Sequence, residues 1–176
     1  DYSQYVKIKR DDDDEHGVPF SDADLKILWD NKTNETAEML LIMCYSGWRI
    51  SEYIGLEVNL QKKYFMGGIK TEAGKGRIVP IHSGILPLVE RRISKYGKLL
   101  PCSDKDFRKQ MDELLNRLGI PGDPKHTPHD CRHTFSMLCE KYEVKENDRK
   151  RMMGHSFKAD ITNKVYGHRD IEDLRK

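Results

Sequence analysis

Apolar residues recur at helical spacing along most of the chain, and a stretch near the middle is instead rich in aromatic and β-branched residues. In "SDADLKILWD", Leu25, Leu28 and Trp29 follow helical spacing behind Ser21 and Asp24, which form a capping box. "TAEMLLIMCYSG" is apolar on nearly every side, so it predicts a buried central helix closed at Gly47. "RISEYIGL" continues as another helical turn or two. "KKYFMGGIK" and "GRIVPIH" predict the two strands of a hairpin with "TEAGKG" at its tip. "GILPLVERRISKYG" and "SDKDFRKQMDELLNRLG" predict amphipathic helices, the first opened by Pro87. After the loop "IPGDPKH", Thr127 caps a helix with Pro128 at its first position. Short helices are expected near residues 145–153, 159–166 and 169–176. The class is mainly α with a small antiparallel β-sheet (α+β). Residues 1–19 read as a linker, and residues 20–176 as one domain.

Composition agrees with one ordinary domain. The chain has 176 residues, 37% of them hydrophobic and 34% charged. No apolar run approaches the roughly 20 residues a bilayer span needs, and "DYSQYVKIKR" lacks the apolar stretch of a signal peptide. The four cysteines form no C-x-x-C pair, so reduced thiols in an intracellular protein are expected. The chain begins without Met and is expected to be a fragment of something longer. Its net charge of +2 hides an asymmetry: residues 1–30 carry nine acids and four bases, the remainder 20 acids and 27 bases. The basic body suits a polyanionic partner. The run "DDDDE" at residues 11–15 reads as solvated linker.

The helix "TPHDCRHTFSML" poses a chemical choice. His129 and His133 stand four apart and share a helical face, the spacing of an H-E-x-x-H zinc site. Here an Asp replaces the Glu, and His155 would have to serve as a third ligand. Alternatively, His129 and Arg132 at i and i+3 grip a phosphate. Arg132 on the same side of the helix would repel a cation, so phosphate is the better reading.

The order of further motifs extends that reading. "SGWRISEYIGLE", "IKTEAGKGRIVPIH", "HDCRHTF", "MMGHS" and "ITNKVYGH" occur in this sequence and order. Together they resemble the catalytic domain of the tyrosine recombinases, the phage-integrase family, from about residue 21 to about residue 170. The resemblance places Arg49 and Glu52 in the first arginine box and Lys70 in the lysine position. It places His129 and Arg132 in the H-x-x-R box, His155 at the last His/Trp position and Tyr166 at the nucleophile. One departure is the spacing from His155 to Tyr166, eleven positions where nine is commoner in the family. The family's separate N-terminal DNA-gripping domain has no counterpart here, so an excised catalytic domain is expected.

The resemblance implies strand exchange in double-stranded DNA by phosphodiester transfer, through a covalent 3′-phosphotyrosyl link, without metal or nucleotide cofactor. It also implies a tetramer of the full-length protein on DNA, in the cytoplasm of a bacterium or encoded by a phage. The residue types suit that chemistry. Guanidinium groups stay charged and offer planar paired donors to phosphate oxygens, the task of Arg49 and Arg132. His129 and His155 add hydrogen bonds, and His129 can accept the proton of Tyr166, a phenol with a pKa of about 10. Glu52 orients an arginine or a backbone amide. Lys70 protonates the leaving 5′-oxygen, with Lys75 as the alternative. Lys75, Arg77 and Lys125 are expected to touch the DNA backbone. His16, His82, His126, His133 and His168 are expected to be structural, His133 beneath the site. The rival functions are a non-catalytic DNA-binding module on the same fold and a zinc metalloprotease built on His129 and His133.

Overall fold

The structure, a computed structural model, describes residues 17–68, 76–122 and 124–154. Its helices are α1 (Asp22–Asp30), α2 (Glu35–Cys44), α3 (Leu86–Tyr96), α4 (Asp104–Leu118), α5 (Pro128–Lys141) and α6 (Glu146–Met153). A 3-10 turn (Ile50–Tyr53) and strands β1 (Glu57–Asn59), β2 (Tyr64–Gly67) and β3 (Arg77–Pro80) lie between α2 and α3. Among the described residues no helix is long and apolar enough to cross a membrane.

The helix ends follow local chemistry. At α1, Asp24 N donates to Ser21 Oγ (3.1 Å) while Ser21 N donates to Asp24 Oδ2 (3.3 Å). This is the expected reciprocal box. Asn34 caps α2 by accepting from the amides of Thr36 and Ala37. Ser103 caps α4, and Gly119 closes it in the left-handed conformation.

α2 is the central helix. Met39 through Cys44 are all 0% exposed. A helix buried on every side needs no one-sided apolar stripe, and this one shows none. Its most extensive packing is against α5. α4 is the contrasting case: Phe107, Met111, Leu114 and Leu115 form one buried stripe at helical spacing. Cys44, Cys131 and Cys139 are buried free thiols, and burial pushes the latter two well above the ordinary thiol range.

The predicted hairpin is present, with Phe65 opposite Val79 and Gly67 opposite Arg77. Three features differ from the sequence reading. "LEVNL" supplies a third strand, β1, antiparallel to β2 in the order β1-β2-β3. Only Val58 in β1 is β-branched, so its strand character comes from pairing rather than propensity. "RISEYIGL" forms a single 3-10 turn before that strand begins. Residues 17–19, expected in the linker, are tied to the domain: Val18 N donates to Asp130 Oδ1 (3.2 Å). Phe20, fully buried, donates its amide to Thr134 Oγ1 (2.9 Å).

One charged residue of α2 is buried with the apolar ones. Glu38 accepts from Arg91 and from Arg92 Nη1 (3.1 Å). The Arg92 side chain is 4% exposed, and it also donates to the carbonyls of Leu99 (2.7 Å) and Glu35 (3.0 Å). Removing Glu38 strands a buried cation. Glu38→Ala is therefore expected to cost about 3–5 kcal/mol in urea unfolding. Arg91→Ala, at a half-exposed guanidinium, is expected to cost about 1 kcal/mol or less.

Candidate active site

Four segments that are distant in sequence converge beside the N-terminal half of α5. They are the loop after α2 with its 3-10 turn, the start of β3, α5 itself, and the end of α6. Arg132 joins three of them. Its side chain is almost wholly buried, with Nη1 donating to Gly47 O (2.7 Å) and Nη2 to Met153 O (2.6 Å). Position 47 requires glycine. The φ of Gly47 is +76°, and a Cβ there would fall onto the Phe135 ring.

Two residues past Gly47 stands Arg49, with an extended backbone, at the start of the 3-10 turn. Its amide donates to Glu52 Oε1 (3.0 Å), and its guanidinium lies 3.8 Å from the same oxygen. Arg77 Nη2 donates to that oxygen too, at 3.0 Å. Glu52 Oε1 is therefore the acceptor shared by the Arg49 amide and the Arg77 guanidinium.

Arg77 differs from its expected place as a DNA-backbone contact. Its side chain is 3% exposed, and its guanidinium carbon sits 4.1 Å from the Trp48 ring centroid. Burial lowers its pKa from the usual arginine range, and Glu52 opposes that shift. Trp48 Nε1, Arg49 Nε, Glu52 Oε2 and Arg77 Nε are buried without a hydrogen-bond partner among the described residues. Three of the four are donors, and Glu52 offers one negative charge to two guanidiniums. Buried polar atoms are rarely left unsatisfied, so such a cluster suits an anion.

His129 lies one turn before Arg132 on α5, half-buried, with its ring edge-to-face against His133 at 5.1 Å. Asp130 between them is committed to structure. Its Oδ2 accepts from Thr127 N (3.1 Å) and faces His126 Nδ1 (2.7 Å), and its Oδ1 accepts from Val18 N. His126 is buried and stacked on Phe20 at 4.2 Å. The zinc reading thus loses its general base, because Asp130 is occupied in capping α5.

Of the remaining sequence candidates, one is described and lies away from the cluster. Lys125 is exposed and paired with Asp112 (3.0 Å), on the loop before α5. Lys70, Lys75, His155 and Tyr166 lie outside the described residues. Trp48, Arg77 and Gly154 are the members of the cluster that sequence reasoning missed as such. The signal available was the adjacency of Trp48 to Arg49 and of Gly154 to His155.

The tyrosines that are described are committed as well. Tyr53, beside Arg49, is buried with its hydroxyl against Ser46 Oγ (2.6 Å) and accepting from Trp48 N, and burial raises its pKa. Tyr45, Tyr64 and Tyr96 bond through their hydroxyls to Trp29, Asn59 and Glu35. Tyr142 is exposed at the far end of α5, nearly three helical turns beyond Arg132.

With this geometry in hand, comparison with known proteins is specific. The model of the phage integrase family matches residues 20–173, and the chain belongs to that family. Tyrosine recombinase XerC of Bradyrhizobium diazoefficiens is 28% identical over 156 residues, covering 78% of this chain and 47% of that protein. The chain therefore spans about half the length of this curated relative. The crystal structure of XerA recombinase superposes with a TM-score of 0.67 at 19% identity, covering 92% of this chain and 62% of that one. The Tn1549 transposon integrase, solved with circular intermediate DNA, gives a TM-score of 0.67 at 19% identity, covering 92% and 64% of the two chains. At those identities the two structures establish the fold.

Because Arg132 satisfies two buried carbonyls, its loss should be felt in stability as well as at the site. Arg132→Ala leaves the carbonyls of Gly47 and Met153 without that donor, and each such loss costs about 1–3 kcal/mol. Urea unfolding should show a drop of about 2–5 kcal/mol. Arg49→Ala, which leaves the backbone bond to Glu52 in place, should lose about 1 kcal/mol or less.

Proposed function

We propose that this chain is the catalytic domain of a tyrosine-type site-specific recombinase, which cleaves and rejoins double-stranded DNA through a 3′-phosphotyrosyl intermediate. The observation that carries the reading is the donor-rich arginine cluster held by Glu52 and by the carbonyl bonds of Arg132, in a chain of the phage integrase family. The DNA-bound Tn1549 integrase on the same fold supports DNA as the partner.

In this reading the Tyr166 oxygen attacks the scissile phosphorus, its bond to phosphorus forms, and the bond to the 5′-oxygen breaks. The tyrosine proton passes to His129. Arg49, Arg132 and His155 donate to the non-bridging oxygens, where charge accumulates in the transition state. Lys70 gives a proton to the departing 5′-oxygen, with Lys75 as the alternative donor. One ester replaces another, so the energy of the bond is retained and no nucleotide is consumed. The 5′-hydroxyl of a second strand then reverses the step. The arginines supply the positive charge, and neither metal nor ATP enters the reaction. The full-length protein assembles as a tetramer on DNA in the cytoplasm. The commitment of Tyr45, Tyr53, Tyr64 and Tyr96 to hydrogen bonds elsewhere supports Tyr166 as nucleophile.

A nicked suicide substrate, whose cleaved end escapes, should trap a covalent protein–DNA adduct with the wild type, in excess EDTA as well as without it. Tyr166→Phe should form none. Full adduct yield from the Phe variant removes Tyr166 from the role, and no adduct from the wild type favours a DNA-binding module on this fold. A substrate with sulfur in place of the bridging 5′-oxygen tests the acid, because a thiol with a pKa of about 8.5 leaves without a proton. Lys70→Ala should be slow on oxygen and close to wild type on sulfur, whereas Arg132→Ala should be slow on both. Rescue of Lys75→Ala in place of Lys70→Ala would transfer the role to Lys75.

A further inference from the structure

A DNA-backbone contact would lie on the hairpin surface, and the surroundings of Arg77 give it a different task. Its guanidinium is the meeting point of three segments that carry the proposed reacting groups. The first is the Arg49 loop: Arg77 Nη2 and the Arg49 amide donate to the same oxygen, Glu52 Oε1, at 3.0 Å each. A shift of Glu52 would therefore move the backbone that presents Arg49. The second is the end of α6. Gly154 has φ +74°, and a Cβ built on it falls onto Arg77 Nη1, so the Nη1 end of the guanidinium lies directly against Gly154. The third is the hairpin itself, where Arg77 opens β3 directly opposite Gly67, three residues before Lys70. Trp48, at 4.1 Å, closes a further face of the guanidinium. Arg77 is thus held by Glu52, Trp48 and Gly154, and its side chain is 3% exposed.

Resting on the recombinase reading, we propose that Arg77 is a positioning residue for strand cleavage: its Nη2 hydrogen bond fixes Glu52, and through it Arg49, while its Nη1 end abuts Gly154 at the end of α6. Arginine suits the task better than lysine, because a planar guanidinium hydrogen-bonded to a carboxylate and placed over an indole fixes direction as well as charge. The role is indirect, so its loss shows in the rate of the chemical step and not in DNA affinity.

The test uses the intact protein with Arg77→Lys and Arg77→Gln. Three quantities are read: single-turnover cleavage of the suicide substrate at saturating protein, the salt dependence of DNA binding, and hydrogen exchange at the Arg49 amide by fragmentation mass spectrometry. Cleavage should slow by about 100-fold, the scale of a small misplacement of reacting groups. The slope of log affinity against log salt should stay at the wild-type value, since no phosphate contact is lost. Exchange at Arg49 should rise roughly tenfold, while the amides of Met111 and Leu114 in α4 keep their protection. A salt slope reduced by about one, with cleavage at saturation unchanged, would make Arg77 a backbone contact and overturn the proposal. Unchanged exchange at Arg49, or protection lost equally in α4, would overturn it as well. A wild type that forms no adduct refutes the recombinase reading, and the exchange measurement then decides Arg77 on its own.

Discussion

A guanidinium buried in the middle of a protein has to be met on several sides, and the way Arg132 is met organises this domain. Taking that charge out of water is costly unless fixed dipoles replace its hydration. Two backbone carbonyls do so, one from Gly47 after α2 and one from Met153 at the end of α6. Satisfying the cation therefore forces the two loops together over the first turns of α5. Gly47 is followed within two residues by Arg49, and Met153 by Gly154 and His155. The same pair of bonds that makes Arg132 tolerable inside the fold thus holds the loop of Arg49 against the end of α6.

Around that brace the polar cluster is unbalanced in a useful direction. Glu52 alone accepts from both Arg49 and Arg77, and buried donors on Trp48, Arg49 and Arg77 have no partner among the described residues. Under the recombinase proposal, a site of this kind needs little reorganisation when charge develops on a phosphate. Asp130, by contrast, is drawn away from the site. It caps α5, faces His126 and anchors Val18, so it does not serve as a base beside the two histidines that flank it.

Much of this was legible in the residues because it depends on neighbours in sequence. The Ser21–Asp24 box, the Thr127–Pro128 start of α5, the all-apolar α2 and the β2–β3 hairpin rest on local chemistry, and they appear where their patterns place them. The motif order pointed to Arg49, Glu52, His129 and Arg132, and the structure brings the loop of Arg49 and Glu52 to Arg132 through Gly47. What was not legible depends on distant partners. β1 is a strand only because β2 lies beside it. Arg77 follows a glycine at a hairpin edge and looks like a tip charge; its burial comes from Trp48 and Glu52, more than twenty positions away, and from Gly154. Glu38 sits in an apolar run with no sign in that run of the arginines of α3 that neutralise it.

The central claim is that the Arg132 brace builds a phosphate cradle in advance. The most direct measurement is a crystal structure of the protein carrying Tyr166→Phe, bound to its uncleaved DNA site. The account predicts one phosphate whose non-bridging oxygens lie within about 3.2 Å of Arg49, Arg132 and His155 nitrogens, with the bonds from Arg132 to Gly47 O and Met153 O intact and Arg77 still on Glu52. A phosphate held instead by surface residues such as Lys125, with Arg132 touching no DNA oxygen or released from those two carbonyls, would contradict it.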